Sequence, residues 1–209
     1  MKEGTWRGLM AGVVAIMAMV CSNTVLAELE WTLKKSRDGI QAFTARIENN
    51  DHLAFKGETV VADKTIDDVL AVMRDVPNMD KWLHTCYDPE ILQDEDSLTR
   101  IIHMKNHTPT FLVAERDLIL RQSITRSSPT TAEITLTGLP EQMPVQKSFV
   151  RIPYFDGRWE FEQTSAGLRI VYSGVIDPGG GLPVSITNMM VVDTPFETLK
   201  KLVAFMSRS

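Results

Sequence analysis

The chain has 209 residues, 44% of them apolar and 23% charged, with a formal net charge of −5; these are the proportions of a globular protein and exclude a disordered chain. The acidic balance, with no block of Lys and Arg, speaks against nucleic acid as a partner, because phosphate binding needs concentrated cations.

Lys2 and Arg7 precede an uncharged apolar run over residues 9–20, and Val25-Leu26-Ala27 follows with small residues. This is the pattern of an export signal cleaved after Ala27, and it predicts a periplasmic or secreted protein. The run is shorter than the roughly 20 residues that span a bilayer. Residues 28–209 then form one domain, with no repeat, low-complexity tract or Pro/Gly/Ser-rich linker to divide it. Of the two cysteines only Cys86 lies in that domain, so its stability rests on packing without an intramolecular disulfide.

Residues 30–35, 40–47 and 53–61 read as short strands separated by Arg37-Asp38-Gly39 and Asn49-Asn50-Asp51, both strong turn signals. Thr65 opens a helix with Asp67 and Asp68 in its first turn and Ile66, Val69, Leu70 and Met73 on one face. Residues 76–83 add a second short helix. The period then returns to two over residues 98–104, 117–126, 131–139, 149–154, 157–164 and 168–176. In Arg158-Trp159-Glu160-Phe161-Glu162 the aromatics and the charges fall on opposite faces, as in an antiparallel sheet with one wet side. Asp177-Pro178-Gly179-Gly180-Gly181 ends the last strand, and Pro183 opens a long helix to Met206. Asp193 interrupts its apolar stripe, and Pro195 is expected to kink or divide it near Thr194.

Enzyme signals are weak. His103 and His107 have the spacing of a helical zinc motif but lack its Glu and sit in strand-like sequence. Cys86 beside His84 has no third group to orient a thiol pair and reads as a structural cysteine. The glycines after Asp177 lack the Lys-Ser/Thr of a phosphate loop and read as a turn.

Strands, two short helices, more strands and one long terminal helix make an α+β arrangement. Within it, the order of Trp31, Asp38-Gly39-Ile40, Met79-Asp80-Lys81-Trp82, Arg116-Asp117, Val150-Arg151, Tyr172 and Asp177-Pro178-Gly179-Gly180, with Pro183 and Asn188, resembles the START lipid-transfer family. The resemblance covers nearly all of residues 30–206 and departs from the family after Pro183, where Val184-Ser185-Ile186 replaces the usual aromatic. It implies a helix-grip fold, a curved antiparallel sheet wrapped around the C-terminal helix, with an internal tunnel for one apolar molecule. The ligand would be a sterol, hopanoid, phospholipid or fatty acid, carried through an aqueous compartment with transient membrane contact and no cofactor.

The ligand-binding set that follows is Arg116, Asp117, Trp82, Phe111, Val113, Trp159, Met189 and Met190, with no catalytic residue and no metal ligand. Arg116 has two readings: a handle for a ligand hydroxyl, carboxylate or phosphate, or a structural ion pair with Asp117 or another acid. Residues 107–115, with Phe111, Leu112 and Val113, resemble the family's flap over the tunnel mouth; otherwise these apolar residues complete the core. Met79, Met189, Met190 and Met206 suit an adaptable pocket or an ordinary core. Two other functions compete with the carrier. One is a helix-grip cyclase or hydrolase, which needs convergent acid and base groups in the cavity. The other is a lipid-responsive binding module, which needs a partner that depends on occupancy.

Overall fold

A computed structural model describes residues 29–208, except 49, 109–112 and 183 and the side chains of Val184, Ser185 and Met189. The expected export signal, Phe111, Leu112 and Pro183 therefore lie outside the described residues.

The chain begins with β1 (Thr32–Arg37), β2 (Ile40–Arg46) and β3 (Leu53–Val61). Asp38 and Gly39 join the first two with φ of 56° and 75°, the doubly left-handed turn that matches strand twist. Next comes α1 (Ile66–Arg74), capped by Thr65: its hydroxyl accepts from Asp68 N, while Thr65 N donates to the Asp68 carboxylate at 2.8 Å. A 3-10 helix, Val76–Lys81, follows at once, led in by Pro77.

The remaining strands are β4 (Cys86–Asp94), β5 (Thr99–Asn106), β6 (Glu115–Ser128), β7 (Thr131–Gly138), β8 (Phe149–Arg151), β9 (Tyr154–Thr164) and β10 (Gly167–Asp177), and α2 (Val184–Met206) closes the fold. The sheet runs β1-β2-β3-β10-β9-β7-β6-β5-β4, antiparallel throughout except that β8 pairs parallel with β6. It is curved and unclosed, with α2 laid in its concavity. The predicted alternation in β9 holds: Trp159 and Phe161 are buried, Glu160 and Glu162 exposed.

The structure adds one strand and decides one alternative. β4 is not legible in the sequence, because Asp88-Pro89 interrupts its pattern and irregularities fall between Tyr87 and Glu90 and between Ile91 and Gln93. Such breaks suit an edge strand, which must avoid offering a continuous row of unpaired backbone groups. Nor does Pro195 divide α2, which runs unbroken through it. Opposite stands Gly57 on β3, where an added Cβ would lie 3.1 Å from Pro195 Cβ and 2.8 Å from Leu199 Cδ1. The glycine gives the helix room to press its proline turn against the sheet. Asp193 is accommodated at the helix edge by Lys35 of β1, 2.8 Å away. Gly57→Ala is expected to destabilise the fold by about 1–3 kcal/mol through this overpacking, read as a lower urea midpoint with an unchanged slope.

Candidate ligand cavity

Between the concave face and α2 lies a narrow cavity of about 90 Å³. That is well below the roughly 300–1,000 Å³ of small-molecule sites, so a lipid enters only if the wall side chains re-pack. Its wall is mostly apolar: Met79, Met104, Leu118, Leu120, Phe155 and Trp159 contribute. Trp159 stacks on Tyr172 with ring centroids 4.1 Å apart and meets Trp82 edge-on at 6.0 Å. These contacts hold the aromatic wall rigid, each pair contributing about 0.5–1.5 kcal/mol beyond its burial. The cavity opens between residues 84–87, residues 107–108 and the middle of α2. A further apolar hollow under α2 shares Phe155, Tyr172, Ile176 and Pro178 with it, and Met190 lines cavity, mouth and hollow alike.

Arg116 is 3% exposed and reaches this cavity from the start of β6. Its Nε donates to Pro178 O at 3.3 Å, its Nη2 to Gly179 O at 3.2 Å and its Nη1 to Ala114 O. All three acceptors are neutral carbonyls, and among the described residues no carboxylate pairs with it. Burial lowers the guanidinium's pKa, yet an arginine stays charged. The cradle depends on the turn before α2, where Gly179, Gly180 and Gly181 all have positive φ. A Cβ at Gly180 would stand 3.1 Å from Arg116 Nη2.

Asp117 points the other way, as the residue after an inward one on a strand must. It is fully buried on the convex side, paired with Arg151 of β8 at 3.0 Å and 2.8 Å. Arg151 also donates to Pro140 O and Met143 O. The parallel register of β8 sets Arg151 directly beside Asp117. His103, 1% exposed, completes the cluster between Asp117 at 3.2 Å and Glu90 at 2.8 Å. The acid expected as a partner of Arg116 therefore belongs to Arg151, and Asp117 is not in the cavity wall.

Of the other predicted site residues, Trp82, Trp159 and Met190 line the cavity. Val113 does not; its carbonyl accepts from Thr108 Oγ1 at 2.9 Å and ties residues 108 and 113 together beside the mouth. Phe111 and the Met189 side chain lie outside the described residues. At the mouth, His107 stacks on Tyr87 at 4.1 Å and meets Glu115 at 2.7 Å, while the Tyr87 hydroxyl donates to the same carboxylate. His103 and His107 thus serve separate clusters. Burial pushes the Cys86 thiol up to about 12, which leaves it protonated and unreactive at neutral pH.

The ligand-binding set expected from the sequence lacks His84, Asn106 and Gln122, which also line the cavity. His84 Nδ1, Asn106 Nδ2 and Gln122 Oε1, with Trp82 Nε1, are buried polar atoms without a hydrogen-bond partner among the described residues. Burial and then the charge of Lys201 lower the His84 pKa, keeping its imidazole neutral at pH 7. Gln122 had a readable signal, since Arg116, Leu118, Leu120 and Gln122 share one face of β6.

The START domain family model matches residues 16–209. An uncharacterised Pseudomonas aeruginosa protein is 28% identical over 194 residues, 91% of this chain and 93% of its own. The crystal structure of a STAR-related lipid transfer protein from Xanthomonas axonopodis is 27% identical, covers 85% of this chain and 98% of its own, and superposes with a TM-score of 0.78. Human StAR-related lipid transfer protein 5 shares the fold at 16% identity and a TM-score of 0.77, over 85% of this chain and 86% of its own.

Proposed function

This chain belongs to the START domain family, and on that footing we propose that it binds a single lipid with an acidic headgroup in its cavity and carries it, without chemistry, through an aqueous compartment. The observation that carries the reading is Arg116, a buried cation facing an apolar cavity with only carbonyls around it. An unpaired buried charge is costly, and a carboxylate or phosphate on the ligand supplies the missing counter-charge. Three of the five guanidinium N–H groups hold the cradle, so two remain for that headgroup.

Affinity for the tail follows from enclosure. Each buried methylene contributes about 0.8 kcal/mol, against an association cost of about 4–15 kcal/mol. About ten methylenes offset only a mid-range cost, which favours full enclosure over a surface groove. The cavity is narrow, so entry requires side-chain movement. Met79, Met104 and Met190 in its wall suit that need, since unbranched thioethers re-pack easily. The export-signal pattern of residues 1–27 supports a carrier that works outside the cytoplasm, which is the periplasm if the source is a two-membrane bacterium.

Native mass spectrometry of the protein recovered from its expressing cells tests both parts. The expected result is one stoichiometric acidic lipid on a polypeptide beginning at Glu28. A protein that emerges empty and takes up neither fatty acids nor phospholipids would overturn the carrier reading, and an uncleaved chain would overturn the export reading.

A further inference from the structure

The far end of the cavity carries polar atoms that Arg116 does not explain. Gln122 lies six positions further along β6 on the same face, about 20 Å along the strand at roughly 3.3 Å per residue. It is 1% exposed. Its Nε2 donates to Met73 O at 3.4 Å, at the end of α1, which fixes the amide orientation and turns Oε1 to the unpartnered side. Trp82, also 1% exposed, ends the 3-10 helix that follows α1 and leaves Nε1 unpartnered. The two belong to the same region: Trp82 touches Trp159, Trp159 pairs with Ile134, and two residues on, Leu136 pairs with Gln122. Neither lines the mouth.

Buried polar side chains are almost always hydrogen-bonded, and leaving one unpaired is costly. An indole N–H needs an acceptor and an amide oxygen needs a donor. No charged side chain lines this end of the cavity, so an ionised group there would lack a counter-charge. Building on the carrier reading, we infer that the inner end is a second polar subsite, for an uncharged hydroxyl at the end of the lipid remote from its acidic headgroup. A hydroxyl is both donor and acceptor and satisfies the two orphaned atoms that a plain hydrocarbon tail leaves bare. The ligand class is thus a two-ended amphiphile, acidic at the Arg116 end and hydroxylated at the Gln122 end.

Palmitic acid and ω-hydroxypalmitic acid differ only in that remote hydroxyl. Their affinities are measured by titration calorimetry on wild type, Gln122→Leu and Trp82→Phe. The hydroxy acid is expected to gain on palmitic acid by about tenfold in wild type relative to either variant, a ratio in which solvation of the free ligands cancels. The subsite is overturned if the ratio of the two affinities is the same in all three proteins. If neither acid binds wild type, the single-chain hydroxy-acid ligand class proposed here is overturned, whereas the carrier reading fails only if phospholipids are refused as well. Either variant alone is sufficient should the other not fold.

Discussion

Arg116→Met is expected to abolish tight binding of acidic lipids while leaving the fold largely intact. The substitution keeps most of the side-chain volume and removes the only positive charge on the inner face of β6 that borders the cavity. Removing one partner of a buried, hydrogen-bonded charge pair costs about 2–5 kcal/mol of binding; at 1.4 kcal/mol per tenfold, the middle of that range is a loss of about two to three orders of magnitude. Two effects on the empty protein oppose each other: a buried charge disappears, but the carbonyls of Ala114, Pro178 and Gly179 lose their donor. Stability should therefore change much less than affinity. Arg116→Lys retains the charge without the planar fork that spans three carbonyls, and its affinity should fall between the two. Calorimetric titration with palmitic acid, beside a urea melt of each variant, separates the effects. Equal affinity in wild type and Arg116→Met would remove Arg116 from the ligand site.

Asp117→Asn is expected to do the reverse, costing stability and sparing the ligand. Asp117 is on the convex side, where its charge meets Arg151 and His103 in the absence of bulk water. Breaking such a pair from one side costs about 3–5 kcal/mol, because the remaining charge stays buried. The paired replacement Asp117→Leu with Arg151→Met should restore much of the loss. Burial pushes the Asp117 carboxyl up, but hydrogen bonding and charge from Arg151, followed by those from His103, more than offset it and hold the pKa below the ordinary value. A depressed carboxylate pKa contributes stability that is fully present above the unfolded value, near 3.9, and is lost as pH falls through the folded one. Wild type should thus lose stability steeply below about pH 4, and Asp117→Asn should show a shallower decline. Urea midpoints across that range test it; parallel curves would mean the cluster contributes no proton linkage.

The two adjacent residues show what the sequence made legible. The ligand-binding set expected from the sequence holds both Arg116 and Asp117, yet period-two alternation requires them to face opposite sides of β6. The same rule, carried four residues on from Leu118, brings Gln122 into the cavity. Arg151 was present as a resemblance residue, but nothing local announces that a three-residue parallel strand will deliver it to Asp117. The long regular elements were readable because amphipathic alternation and capping act locally. β4 was not, because an edge strand is free to break its own pattern. The cavity set was readable where residues were large and apolar, as for Trp82, Trp159 and Met190. It was missed where it depended on which polar atoms end without partners.

The order of the strands has a consequence for how the chain reaches this structure. β3 finds its second neighbour only in β10, with Ala54 opposite Val175 and Val61 opposite Leu168. The centre of the sheet is therefore stitched from the two ends of the polypeptide, and a nascent chain that has not yet delivered residue 177 has two separate sheet fragments with no seam between them. Contacts of such long range slow folding, since loop closure is lost before any contact rewards it. The late-arriving β10 and α2 bring both the seam and the roof of the cavity, so the cavity comes into being in the same step that completes the sheet.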